Sequence, residues 1–314
     1  MNNRKAAAAA AVLLLAVFVS ARGLAQESKS RKYIFQVPMV KGLSMGSMSQ
    51  SFNSYMNAMS NLLGIKVEYQ EYQFQKGTHP ADDILKMVKA GKVDFTYLYA
   101  SEYVMIKDEV DKVMTPFLTI TMLKKRQTGV CAYVKKDAPY EKLSDLKGKK
   151  WGGTETMRTR FLLHREGIDE PLAKFFGSMT YIDDGDIRKP LDEVIDGKID
   201  VYTAYELLAS MLKSNNRKYV DELKQVGCGD FEHNWIFFYK NDVPKDIVGM
   251  VGRSMLQAHK DKELVHFKLL LTAIKGNFEK YDPKDLAATV KTVELMKKFK
   301  WMDEEQSFLK PHLK

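Results

Sequence analysis

One short pattern occurs twice in this chain. Lys89-Ala90-Gly91-Lys92-Val93-Asp94-Phe95-Thr96-Tyr97 is echoed by Ile195-Asp196-Gly197-Lys198-Ile199-Asp200-Val201-Tyr202-Thr203. Both copies read Gly-Lys-(Val or Ile)-Asp-apolar, and each follows a short helical pattern: Ile84, Leu85 and Val88 before the first, Leu191, Val194 and Ile195 before the second. A glycine after a helix supplies the left-handed C-terminal cap, and the β-branched run after it opens a strand.

The segments upstream of the two copies repeat as well. Tyr33 to Met39 reads as a strand, followed by a Gly/Ser/Met loop and a helix opened by Ser49, with Phe52, Tyr55, Met56, Met59, Leu62 and Leu63 at helical spacing. Lys66 to Tyr72 alternates as a second strand. In the later half, Lys149 to Gly153 reads as a strand and turn, Thr156 to Arg165 as a helix and Met179 to Ile182 as a strand. Each half is therefore strand–helix–strand–helix–strand, which demands right-handed crossovers and a mostly parallel sheet with helices on both faces.

Strand-like runs at Thr128 to Lys135 and Trp235 to Lys240 lead into and out of the second half, and the stretch from Pro244 to Lys314 is helical in pattern. The expected organisation is a discontinuous first lobe (27–130 and 236–314), a second lobe (137–228) and a hinge near 131–136 and 229–235. A cleft between two such sheets is where open α/β folds place ligands.

The chain start reads as a secretory signal. Arg4 and Lys5 precede an apolar run from Ala6 to Val19, and Gly23-Leu24-Ala25 places small residues at the −3 and −1 positions before Gln26. A run of that length is short of the ~20 residues a membrane span needs. No Cys follows it that could carry a lipid, so a soluble periplasmic protein cleaved near Ala25, without stable membrane insertion, is expected. The chain carries 49 Lys and Arg against 40 Asp and Glu, and three of the basic residues with no acid fall within residues 1–25, which leaves +6. Clusters such as Lys124-Lys125-Arg126 and Lys147 to Lys150 have acids nearby and read as solvated faces. Export argues against nucleic acid as a partner.

Three stretches carry a family resemblance. Gly91-Lys92-Val93-Asp94-Phe95-Thr96-Tyr97-Leu98-Tyr99-Ala100-Ser101-Glu102-Tyr103-Val104 resembles the pattern Gly-x-(Val/Ile)-Asp-(apolar)-Ala-(aromatic)-x-Gly-Pro-x-Ser-Tyr of the phosphonate- and phosphate-binding branch of the type 2 periplasmic solute-binding proteins of ABC transporters. Tyr140-Glu141-Lys142-Leu143-Ser144-Asp145-Leu146-Lys147-Gly148-Lys149-Lys150 is similar to the segment that opens that branch's second lobe. Ile236 to Pro244 resembles its returning hinge. The resemblance implies an α/β, two-lobed type 2 periplasmic binding protein fold, each lobe a mostly parallel sheet flanked by helices, with a hinge of two crossing strands. It also implies a non-enzymatic, monomeric substrate-binding component without cofactor, which takes a phosphonate- or phosphate-like oxyanion or an organophosphonate in the interlobe cleft and delivers it to an inner-membrane ABC permease.

In the family an oxyanion sits at helix N-termini, where free backbone N–H groups and the helix dipole favour negative charge. The stretch Thr154-Glu155-Thr156-Met157-Arg158-Thr159-Arg160 stands where the family usually has a Ser-Thr-Ser-Gly turn; it keeps threonines, lacks the glycine and adds Glu155. Arg158 is a candidate for a bidentate anion contact, and Arg160, two residues on, diverges to another helix face. Tyr103 matches the family's ligand-contacting tyrosine, with Tyr99-Ala100 in place of the usual Gly-Pro. Ser101 is a candidate cap for a helix from Glu102 to Val113. Tyr202, Tyr205 and Glu206 follow the second repeat, where the family places an acidic residue near the ligand. The loop Lys41 to Met48, with Ser44, supplies glycines and serines for anion contacts and methionines for an adaptable apolar surface. The candidate ligand-binding set is therefore Ser44, Tyr99, Ser101, Tyr103, Thr154, Thr156, Arg158, Thr159, Tyr202, Tyr205 and Glu206. The aromatic content leaves open a larger apolar or lipid-like ligand in the same cleft.

Other chemistries leave no trace. The histidines (His79, His164, His233, His259, His266, His312) lack metal-ligand spacing, and there is no nucleophile elbow, Walker loop or dinucleotide fingerprint. An enzyme on the same fold would have to use Cys131 or Glu206; a sensor subunit is a further alternative. Cys131 and Cys228 lie near the hinge crossings in an oxidising compartment. A bridge between them would restrain the hinge, but crossing antiparallel strands would place Cys131 nearer Phe238, so the pairing stays open.

Overall fold

The repeated aspartates explain why the two halves fold alike. The computed structural model describes residues 31–40, 46–74, 80–183, 186, 188–260, 268 and 271–312; the signal segment and Ser44 lie outside them. In the first half β1 (Lys32–Val40) leads through α1 (Gly46–Leu63) to β2 (Lys66–Phe74), and through α2 (Pro80–Lys89) to β3 (Phe95–Leu98). β1 pairs in parallel with both β2 and β3. Gly91 turns the chain after α2 at φ +70°, a conformation that costs glycine little. Asp94 then accepts a hydrogen bond from Ile34 N at 2.8 Å, while its own N–H donates to Ile34 O at 3.0 Å.

Short helices α3 (Ala100–Met105) and α4 (Lys107–Val110) lead to β4 (Met114–Ile120), and residues 121–126 carry the chain to β5 (Gln127–Lys135). The second half runs β6 (Lys150–Gly153), α5 (Thr156–Arg165), α6 (Leu172–Phe175), β7 (Ser178–Tyr181), α7 (Arg188–Ile195) and β8 (Val201–Tyr205). Here the same device recurs: Asp200 accepts from Lys150 N at 2.8 Å and donates its own N–H to Lys150 O at 2.8 Å. Each aspartate fastens the third strand of its half to the first. Helices α8 (Glu206–Asn215) and α9 (Arg217–Glu222) precede β9 (Leu223–His233), and the chain returns through 234–235 to β10 (Ile236–Lys240). The remainder comprises α10 (Lys245–Gln257), β11 (Phe278–Lys280), α11 (Ala287–Lys298) and α12 (Trp301–Leu309).

The strand orders are β11-β4-β10-β3-β1-β2 and β7-β6-β8-β5-β9. Each sheet therefore holds a parallel trio followed by an antiparallel strand arriving from the other sheet, β10 in the first and β5 in the second. These crossing strands tie two lobes together. Asn234, 1% exposed, binds the two crossings to each other through Lys125 O at 2.8 Å and Arg126 O at 2.8 Å.

Five expectations need correction. The sheets are mixed rather than mostly parallel, because each parallel trio is extended only by antiparallel strands. The crossings lie at 121–126 and 234–235, so residues 127–135 belong wholly to the second sheet rather than to the first lobe and hinge. The C-terminal segment does not stay with the first sheet: Val293, Met296 and Trp301 are buried with Val130, Trp151 and Phe231 in the second core, because both faces of that sheet need apolar cover. That segment is also not wholly helical, since β11 extends the first sheet beside β4. Finally, Cys131 pairs with β9, not β10, and stands directly opposite Cys228 in the ladder, where the two form a disulfide. The bridge lies inside one sheet and does not span the hinge.

Candidate functional site

Strand ends from both lobes converge on one cavity of about 140 Å³. From the first lobe come Phe74 at the end of β2, and Tyr99, Ser101, Glu102 and Met105 on the turn and helix after β3. From the second come Thr154, Glu155, Met157 and Arg158, where β6 turns into α5, with Phe231 and Glu232 from β9. The remaining wall is C-terminal: Met296 of α11, and Met302, Glu305, Gln306 and Leu309 of α12.

The turn from β6 into α5 sets the geometry. Gly153 has φ +136°, and a Cβ there would meet the Tyr202 ring at 2.9 Å, so the approach of strand to tyrosine requires glycine. Arg158 follows on the first turn of α5. Its guanidinium lies 3.7 Å from the centroid of the Tyr205 ring, donates to the Tyr205 hydroxyl and pairs with the Glu155 carboxylate. Burial pushes the pKa of Arg158 down, and the nearby Glu232 and Glu305 carboxylates oppose that shift. An arginine so stacked is pre-oriented for planar, two-point recognition of an oxyanion.

Carboxylates stand among the methionines and aromatic rings of the lining. Glu232 accepts from Ser101 N at 2.9 Å. Glu305 accepts from Thr156 Oγ1 at 3.0 Å and from Met157 N at 3.0 Å. Burial raises the pKa of Glu102 well above its ordinary value, reinforced by the neighbouring Glu232 charge. Burial, then Glu102, also raises the Tyr99 hydroxyl. Among the described residues, Arg158 is the only basic side chain lining the cavity.

Of the candidate residues, Tyr99, Ser101, Thr154 and Arg158 line the cavity, and Thr156 borders it through Glu305. Thr159 sits behind the wall, its hydroxyl donating to Glu155 O at 2.9 Å and lying 3.0 Å from Thr203 Oγ1. Tyr205 supports Arg158 from below. Three candidates fall elsewhere. Tyr103 is 1% exposed, packs in the core with Ile236 and Phe238 and donates to Asp111 at 2.8 Å. Tyr202 is 2% exposed and belongs to the core beneath β8. Glu206 points to the crossing segment, where it pairs with Lys125 at 3.0 Å. The helix expected from Glu102 to Val113 starts at Ala100 and breaks at Ile106; Tyr99 occupies the cap position, and Ser101 lies inside the first turn. Arg160 lies on another face of α5, with its guanidinium on the Asp169 and Glu170 carbonyls and on Glu304 at 3.1 Å.

Residues overlooked in the sequence are Glu102, Glu232, Phe231 and the whole contribution of α12. Glu102 adjoins Ser101 and could have been found from the strand-end argument; β9 and α12 carry no local signal for a cleft.

Two lobes joined by two crossings, with a cavity lined from the strand ends of both, define a solute-binding protein of the periplasmic type. A family model described as "ABC transporter, phosphonate, periplasmic substrate-binding protein" matches residues 43–286, and the chain belongs to that family. The PhnD1 protein of Prochlorococcus marinus, solved in complex with methylphosphonate, is similar with a TM-score of 0.63 at 14% identity, over 85% of this chain and 98% of that one. A binding protein component of an ABC phosphonate transporter from Pseudomonas aeruginosa gives 0.60 at 14% identity, over 90% and 98%. The periplasmic aliphatic sulphonate binding protein SsuA of Escherichia coli gives 0.56 at 10%, over 87% and 94%. No curated protein sequence matches the chain. Among the described residues no helix is long and apolar enough to cross a membrane.

Proposed function

We propose that this chain captures a short organophosphonate between its lobes and presents it to an inner-membrane ABC permease, acting as a monomer after a signal peptide is removed near Ala25. The observation that carries the reading is the stacked, buried Arg158 on the first turn of α5, facing a cavity that both lobes line. The oxyanion would lie against Arg158, Thr154 and Thr156, with the substituent among Met105, Met157, Met296 and Met302, whose flexible thioethers adapt to varied shapes.

The cavity size favours this ligand over a lipid-like one. At about 30 Å³ per water, 140 Å³ holds about five waters, or a ligand with a similar number of heavy atoms. The acidic lining favours a substituent that carries an ammonium group. Closure about residues 121–126 and 234–235 is then driven by contacts from both lobes at once. Titration calorimetry with inorganic phosphate, methylphosphonate, 2-aminoethylphosphonate and short alkanesulfonates tests the reading. Saturable binding of a phosphonate is expected; no heat from any of these solutes would refute it.

A further inference from the structure

The helix expected to receive the ligand's oxyanion already holds one. Glu305 of α12 reaches the N-terminus of α5 and takes two donors there, Thr156 Oγ1 and Met157 N. Its carboxylate also acts electrostatically on Arg158. A carboxylate so placed is a chemical stand-in for a phosphonate oxygen: its Oε2 accepts from a first-turn N–H and a threonine hydroxyl, and its charge complements the positive end of the helix dipole.

We infer that Glu305 is an affinity-setting residue, a tethered anion that competes with the incoming oxyanion for the α5 N-terminus. The inference rests on the reading of the cavity given above and adds to it the residue that sets how much contact a ligand must bring. The matched family span ends at Leu286, so this competitor comes from chain beyond it. Because Glu305 belongs to the second lobe, its local concentration at the site is fixed and independent of solute. A small oxyanion without other contacts must displace it unaided. A phosphonate whose substituent makes further contacts meets the same cost from a higher starting affinity. Glu305 thus sets a threshold of contact that bare phosphate does not reach.

Substitution of Glu305 is expected to leave α12 docked. Trp301 and Leu309 are each 1% exposed, Phe308 packs edge-on against Trp151 at 5.6 Å, and Glu304 holds both Leu172 N at 2.7 Å and Arg160 at 3.1 Å. The test compares wild type, Glu305→Gln and Glu305→Ala by titration with inorganic phosphate and methylphosphonate, with melting curves confirming the fold. Glu305→Ala is expected to bind both anions at least tenfold more tightly than wild type. Glu305→Gln is expected to fall between, since its amide oxygen still accepts but carries no charge. Equal or weaker affinity in folded Glu305→Ala, with phosphonate still binding wild type, overturns this inference alone. Absence of oxyanion binding in wild type and both variants overturns the reading of the cavity itself.

Discussion

Removing the Cys131–Cys228 bridge should destabilise the protein without changing what it binds. The two residues are separated by 97 positions, and the loop they close contains β6, β7 and β8 of the second sheet. For a loop of that length the lost unfolded-chain entropy is about 15.7 cal/mol/K, or about 4.7 kcal/mol at 25 °C; losses measured on removing native bridges run from about 2 to 5 kcal/mol. The perturbation is the double variant Cys131→Ala, Cys228→Ala. Alanine is preferable to serine because Cys131 is fully buried, and a hydroxyl there would add a desolvation cost of its own. Calorimetric melting of the two proteins should show a fall on the order of 10 °C. The bridge joins neighbouring strands of one lobe, so the affinity for any cleft ligand should not change. A loss under about 1 kcal/mol would refute the chain-entropy argument. A change in affinity larger than the accompanying change in stability would refute the placement of the bridge away from the hinge.

Three further outcomes are expected. Arg158→Lys keeps the charge but gives up the planar fork and its stacking on Tyr205, so phosphonate affinity measured by calorimetry should drop roughly ten- to a hundredfold; an unchanged constant removes Arg158 from the site. Glu102 is protonated more readily in the folded chain than at its ordinary value of 4.5, so its contribution is full below that pH and is lost as pH rises toward its higher folded value. Glu102→Gln should therefore melt higher than wild type at pH 8 and match it near pH 4, and a variant that melts lower at pH 8 contradicts this. Asp94→Ala and Asp200→Ala each strip the acceptor from a strand N–H and should cost about 1–3 kcal/mol apiece in urea unfolding; losses within about 0.5 kcal/mol, the range of ordinary surface changes, would show that the repeated aspartate is incidental.

The local structure of both halves could be read from the sequence because its determinants are local. The bounds of α5 follow from helical spacing within a few residues of Thr156 and Arg165, and the glycine-to-strand turns at Gly91 and Gly197 follow from backbone freedom. Strand partners could not be read, because periodicity reports which face of a strand is apolar and not which neighbour it meets. That is why the sequence places Cys131 near β10, whereas its partner in the sheet is β9. The site shows the same division. Arg158 was legible because it follows a strand–turn–helix junction in sequence. Tyr103 misled because resemblance at a motif does not fix the rotation of a short helix: α3 starts two residues earlier than expected, and the tyrosine turns into the core toward Asp111. The α12 wall was invisible, since tertiary packing of Trp301 and Phe308 on the second lobe, far along the chain, brings Glu305 to α5.

One motif recurs through these contacts and decides how charge should be interpreted here. Asp94 binds Ile34 N, Asp200 binds Lys150 N, Glu232 binds Ser101 N, Glu304 binds Leu172 N and Glu305 binds Met157 N. In each case a side-chain carboxylate satisfies a backbone donor that would otherwise need water or a ligand. An excess of basic residues over the whole chain therefore says little about the cleft. The positive groups that an anion could use are largely claimed internally, and affinity depends on which internal anion gives way. Asp94 and Asp200 cannot yield without loosening a sheet, whereas Glu305 holds a helix end on the cavity wall, beside Arg158, which lines it too. The ligand's chemistry is set by that difference in exchangeability rather than by net charge.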